Sequence, residues 1–249
     1  MFRRYYNYTK FFLWCKFQII IDMISILCPS RGRPELAKKM IDSAVATGGG
    51  SLQIILYLNN DDLELPKYKE LIDNKLLLIG PDLSPAYSWN KLAEMARYDI
   101  LCLMGDDAWF ETPNWIPQVV DVFNQYSDRI VFAYPDMSGY QGILQEHHCP
   151  HYFLHKNWIR TLGYFVPPQF WHWYVDTWHH DIAKLIGRRH IIQGLKIPLL
   201  IDYQDTTKSR EDRLSNRERD HWLWNHTQRW LHADAQALLN FINTHKNKG

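Results

Sequence analysis

Two adjacent carboxylates, Asp106 and Asp107, close the apolar run Ile100-Leu101-Cys102-Leu103-Met104-Gly105 and are followed by Ala108-Trp109-Phe110 and Pro113. The run has the length and composition of a buried strand, and the proline marks the start of the next helix. Carboxylates at the carboxyl end of a central strand stand at the rim of an α/β sheet, where such sheets bind ligands. Hard divalent cations take carboxylate oxygens and keep coordination places for phosphate, so the pair suits Mn²⁺ or Mg²⁺ holding a diphosphate. The plainer reading is an Asx turn or a cap on the following helix.

Other chemistry-bearing residues are spread along the chain. Pro29-Ser30-Arg31-Gly32-Arg33 is a tight loop whose two arginines suit bidentate phosphate contacts, or are ordinary solvated arginines. Asn59-Asn60-Asp61-Asp62 ends a second apolar run. Asp176 follows the aromatic stretch Phe170–Tyr174 and precedes a helical run, a place that suits a helix N-cap. His147, His148, Cys149 and His151 lack the second, distant ligand pair of a closed zinc site and read as a loop.

The elements that must position these groups alternate. A strand Ile24–Cys28 leads to a helix opened by Pro34, with Leu36, Met40, Ile41, Ala44 and Val45 on one face and Gly48-Gly49-Gly50 as its stop. Strands over Gln53–Leu58 and Leu76–Ile79, a helix over Ser84–Arg97, and the strand ending in Asp106-Asp107 follow. Next come a helix near Trp115–Tyr126, a strand near Ile130–Ala133, a short helix at Trp158–Leu162, a helix Asp176–Ile186 and a last strand Ile197–Tyr203. The mixed-charge segment Lys208–Arg229 reads as a solvated helix face, continuing helically to about Ile242. This alternation predicts an α/β fold with a mostly parallel central sheet.

Composition narrows the classes. With 46% hydrophobic residues in 249, a sizeable core forms and wholesale disorder is excluded. Lys plus Arg at 28 against Asp plus Glu at 27 argues against a chain that coats nucleic acid by charge alone. Four scattered cysteines fit buried free thiols in a reducing, cytoplasmic protein better than a disulfide framework. Residues 1–22 carry a basic, aromatic start and an apolar stretch too interrupted to span a bilayer. They read as an N-terminal extension with weak peripheral membrane contact as the alternative. The domain follows over 23–207, and 208–249 is a helical segment packed on it.

In their order, these motifs resemble the family 2-like glycosyltransferases of GT-A fold. The opening strand and Pro29–Pro34 loop look like that family's nucleotide loop, and Leu103–Ala108 looks like its metal-binding acidic motif. The resemblance implies a metal-dependent transferase, of the inverting kind, moving sugar from a nucleotide-sugar donor, with a UDP-sugar expected, to a hydroxyl acceptor. Asp107 would hold Mn²⁺ or Mg²⁺. Pro29, Ser30, Arg31, Arg33, Asn59, Asn60, Asp61, Asn90 and Asp106 would contact the nucleotide. Asp176 would take the acceptor proton as general base. The family often adds a histidine ligand near the last strand; here only Asp202 or Asp205 stands there. The acceptor is a carbohydrate or, in a protein of viral or phage type acting in the host cytoplasm, a hydroxymethylated base in DNA. The alternatives are a nucleotidyltransferase on a similar sheet and a non-catalytic carbohydrate-binding module.

Overall fold

The structure is a computed structural model and describes residues 23–137, 149–200 and 207–246. The expectations for residues 1–22, His147, His148, Asp202 and Asp205 lie outside these. Seven strands form one sheet: β1 (Met23–Ser30), β2 (Ser51–Asn59), β3 (Leu77–Gly80), β4 (Ile100–Leu103), β5 (Phe132–Pro135), β6 (Tyr152–His155) and β7 (Arg189–Ile192). Their order across the sheet is β3-β2-β1-β4-β6-β5-β7. Pairing is parallel except at β6, which runs antiparallel to both β4 and β5.

The sequence dictates three layers because successive residues of a strand point to opposite faces. On one face Ile24, Ile26 and Cys28 pack with Ile54, Leu56 and Cys102 under α1 (Pro34–Thr47) and α4 (Trp115–Asn124). On the other, Leu27, Ile55, Leu101 and Leu103 pack under α3 (Pro85–Met95), α5 (Lys156–Leu162) and α6 (Val175–Leu185). Both faces are covered, so the central strands are apolar without alternation. α8 (Gln228–Lys246) adds Leu231, Ala235, Leu238 and Ile242 to the second layer. Cys28, Cys102 and Cys149 are buried free thiols, and burial raises the pKa of each.

Several elements depart from the sequence reading. The short helix α2 (Leu65–Leu71) and the strands β6 and β7 were not expected. The segment Ile197–Leu200 does not join the sheet. It runs instead beside the stretch after β4: Leu200 N–H donates to Asp107 O (2.9 Å), while Trp109 and Glu111 N–H donate to Pro198 and Lys196 O. Pro198 has no N–H to give a ladder, which suits it to this edge position. The charged C-terminal segment splits into α7 (Thr207–His226) and α8, and α7 is not wholly solvated, because Asp220 is fully buried.

Candidate active site

A cleft opens at the carboxyl ends of β1, β2 and β4, the edge of a parallel sheet where strand ends leave a crevice. Its floor is the loop after β1. Gly32 turns that loop with φ 68°, a left-handed conformation that favours glycine, and its N–H donates to Asp62 Oδ2 at 2.8 Å. Arg31 meets Asp61 with two parallel bonds of 3.0 Å and reaches Asp82 at 3.2 Å. The acids after β2 and β3 thus orient a guanidinium on the cleft wall.

The adjacent acids have different fates. Asp106 is 1% exposed. Arg33 Nε donates to its Oδ2 at 2.9 Å, the other arm of Arg33 approaches Oδ1 at 2.5 Å, and Ser30 Oγ donates to Oδ2 at 2.5 Å. Tyr68 Oη lies 2.6 Å from Ser30 Oγ and accepts from Arg33 N–H at 2.9 Å. Ser30 spends its proton on the carboxylate, so Tyr68 donates to Ser30. Burial pushes the Asp106 carboxyl up to about 6; Arg33 opposes the rise and Asp107 adds to it. Asp107 is half-buried and lines the cleft. Its Oδ1 lies over Gly105, where an added Cβ would come within 2.6 Å of it. Neither acid caps α4: its N-cap is Asn114, in the left-handed region at φ 54°.

His151 forms part of the facing wall. The ring is fully buried, and neither nitrogen has a hydrogen-bond partner among the described residues. Burial lowers its pKa, while Asp107 and Asp176 act to raise it. Asp176 sits in the first turn of α6 but is not its N-cap, a position held by Tyr174 at φ 69°. Asp176 is not among the residues lining the cleft but is close enough to His151 to act on that ring.

The remaining wall is aromatic. Trp89 of α3 stacks on His172 at 6.2 Å and 15°, and its buried Nε1 has no partner among the described residues. The Trp171–Trp173 loop is held by α7: the Asp220 carboxylate accepts from the N–H groups of Trp171, His172 and Trp173 at 2.9–3.0 Å. Asp212, on the same helix, also lines the cleft.

Of the residues expected at the nucleotide, Pro29, Ser30, Arg31, Arg33, Asn59 and Asp106 line the cleft with Asp107. Asp61 touches it through Arg31, and Asn60 is an exposed residue outside it. Asn90 is placed elsewhere. Its Oδ1 accepts from Phe165 and Val166 N–H and its Nδ2 donates to Ala86 and Val166 O, which uses the amide to join α3 to that segment. His151, Tyr68, Trp89 and Asp220 were absent from that expectation. Asp220 and Tyr68 give no local signal, whereas His151 stands in the His-rich stretch, whose spacing reads as a loop.

Comparison with protein-family models and with curated protein sequences finds no match. Solved structures do match in fold. Staphylococcus aureus TarS 1-349 in complex with UDP-GlcNAc superposes with a TM-score of 0.58 at 10% identity, over 75% of this chain and 60% of that one. A mannosyltransferase from Pyrobaculum calidifontis in complex with GDP-Man and Mn²⁺ gives 0.55 at 12% identity, over 91% and 73%. Glucosyl-3-phosphoglycerate synthase from Mycobacterium tuberculosis with Mg²⁺ and UDP gives 0.53 at 11% identity, over 76% and 74%. The chain spans between 35% and 60% of the length of the TarS structures. The α/β architecture is therefore the GT-A glycosyltransferase fold. The viral and DNA-acceptor expectations find no support in these matches. No helix among the described residues is long and apolar enough to cross a membrane.

Proposed function

We propose that the chain is a metal-dependent, inverting glycosyltransferase that moves a sugar from a nucleotide-sugar donor, with a UDP-sugar expected, to a hydroxyl acceptor. One observation carries the reading: at the carboxyl end of β4, Asp106 is locked into the fold while the neighbouring Asp107 carboxylate meets the cleft beside the arginine loop. That is the arrangement of a single acid kept available for a cation in front of a diphosphate.

The residues fit Mn²⁺ or Mg²⁺. The glycine at 105 leaves open the space beside Asp107 Oδ1 that a side chain would fill. Among the described residues no cluster of three or more His, Cys, Asp or Glu could hold a metal. Asp107 would therefore hold the ion with at most one further such side chain among these residues, leaving places for diphosphate and water. A bound cation supplies positive charge to the departing diphosphate.

The chain's own groups do the rest. Arg31, oriented by Asp61 and Asp82, places a fixed positive charge on the cleft wall for phosphate oxygens. Trp89 and His172 offer an aromatic wall against which a sugar or base can pack. Asp176, near His151, is the group we assign to take the acceptor proton. Attack from the face opposite the diphosphate inverts the anomeric centre.

A thermal-shift screen of UDP- and GDP-sugars, with and without Mn²⁺, tests the reading, because a ligand bound only by the folded chain raises its melting temperature. A Mn²⁺-dependent rise with one nucleotide sugar is expected. Stabilisation by nucleoside triphosphate with sugar phosphate, and by no nucleotide sugar, would replace it with a nucleotidyltransferase.

A further inference from the structure

We propose that His151 is a second protein ligand of the cation held by Asp107. The inference rests on the reading of Asp107 given above and assigns to β6 a role that the sequence resemblance gave to the last strand.

Buried polar groups nearly always find a partner, and one left without costs about 1–3 kcal/mol. His151 is fully buried with both ring nitrogens unpartnered among the described residues, so the fold holds a desolvated imidazole that none of them satisfies. It does so on the wall of the cleft, not in a closed core. The ring also meets Asp107 at a shared point. A Cβ built on Gly105 would lie 2.6 Å from Asp107 Oδ1 and 3.4 Å from His151 Cε1. The Cε1 edge of the ring, with a nitrogen on either side of it, thus lies across from the Asp107 carboxylate beside the glycine. An oxygen and an imidazole nitrogen, with places left for phosphate and water, make a donor set suited to a first-row divalent ion such as Mn²⁺.

The topology explains how residues 44 positions apart come together. β6 returns antiparallel to β4, pairing Tyr152 with Leu103, and His151 is the next residue outward beside the turn into Gly105-Asp106-Asp107. The surroundings favour a cation. The carboxylates of Asp107 and Asp176 both lie near the ring. The same backbone is fixed from below by Cys149, whose Sγ donates to His151 O at 2.9 Å.

The test uses the full chain and Mn²⁺ as the probe, with and without UDP. Pulsed electron paramagnetic resonance of bound Mn²⁺ reads directly attached nitrogen through its ¹⁴N coupling, and titration of the free-ion signal gives the affinity. Wild type is expected to show ¹⁴N coupling. His151→Ala is expected to lose it and to bind Mn²⁺ more weakly by about 10-fold or more. His151→Gln, which fills the space without an imidazole, repeats the measurement if the alanine variant melts early. Coupling that persists in either variant, its absence from wild type, or an affinity unchanged by both substitutions overturns the assignment. Asp107→Ala separates the two levels. If it abolishes Mn²⁺ binding while the His151 variants leave it intact, only the histidine ligand is wrong. If Mn²⁺ binding survives Asp107→Ala, or wild type binds none, the parent reading fails as well.

Discussion

Arg33 closes on Asp106 with Nε at 2.9 Å and a second nitrogen at 2.5 Å, and this pair makes a structural strut of one half of an apparent two-acid metal motif. The strut ties the β1 loop to the end of β4, and Ser30 and Tyr68 extend it to α2. Breaking a buried pair from one side leaves an uncompensated charge and costs about 3–5 kcal/mol. Asp106→Asn should therefore lower the melting temperature by on the order of 10 °C. Asp107→Asn, on a half-buried acid with no such partners, should stay within about 0.5 kcal/mol of wild type. It should instead lose Mn²⁺-dependent nucleotide binding. Calorimetric melting and nucleotide titration with and without chelator check both halves. Equal destabilisation by the two substitutions would refute the division of labour.

Asp220 does for the aromatic loop what Asp106 does for the arginine loop. Three consecutive N–H groups end on one buried carboxylate, and Arg219 supports it at 3.2 Å. Asp220→Ala leaves those donors without an acceptor, at about 1–3 kcal/mol for each that water cannot reach. Amide exchange at Trp171–Trp173 should accelerate, while the strands keep their protection. Asp220→Asn, which retains an accepting oxygen, should recover part of it. Unchanged exchange in the alanine variant would show that α3 holds the loop unaided, through Ala86 N–H to Trp171 O.

The stability should also respond to pH through His179. The ring is fully buried. Trp158 Nε1 donates to its Nδ1 at 3.2 Å, and its Nε2 lies 2.8 Å from Phe165 O. The Trp bond needs a bare Nδ1, so the proton sits on Nε2 and a second has no place. Burial lowers the pKa to about 3, with the Phe165 carbonyl opposing. Between that value and the ordinary 6.5 the unfolded chain binds the extra proton and the folded chain does not. Stability is therefore full above pH 6.5 and falls as the pH drops toward 3, by at most about 1.4 kcal/mol per unit for this one group. His155, lowered to about 4 by burial with Asp99 opposing, acts in the same direction. Urea unfolding at pH 7 and 5 should give a smaller difference in His179→Gln than in wild type. An equal difference would assign the acid sensitivity to other groups.

What the sequence disclosed and what it hid divide by range. Asp106-Asp107 could be placed because a run of six apolar residues ending in charge states its own position at a strand end. The parallel half of the sheet was legible for the same reason: β1, β2 and β4 are apolar and separated by helices with proline starts. β6 and β7 are only four residues each, and β7 is Arg-His-Ile-Ile, so neither carries a periodic signal. The placements of Tyr68, His151 and Asp220 are set by neighbours 38, 44 and about 49 residues away, through contacts that no local pattern encodes. Asn90 shows the opposite case. Its place before the metal strand matched the resemblance, yet its amide is spent on Phe165 and Val166.

Asp176 separates binding from chemistry. It stands in the first turn of α6, where the helix dipole favours a negative charge, and the N-cap position belongs to Tyr174. Thr177 Oγ1 donates to Asp176 over a long 3.4 Å. Replacing it with Asn keeps the shape and removes the base. Donor affinity should stay within about twofold, because the arginine loop and Asp107 are untouched, while transfer should fall by about 10²–10⁴-fold. The loss should appear in kcat with little change in the donor KM, the signature of a group that acts in the transition state. Stopped assays with the donor found in the screen, alongside donor titration, measure both. Near-normal transfer would remove Asp176 as the base and leave Asp212, on the cleft wall, as the next carboxylate to examine.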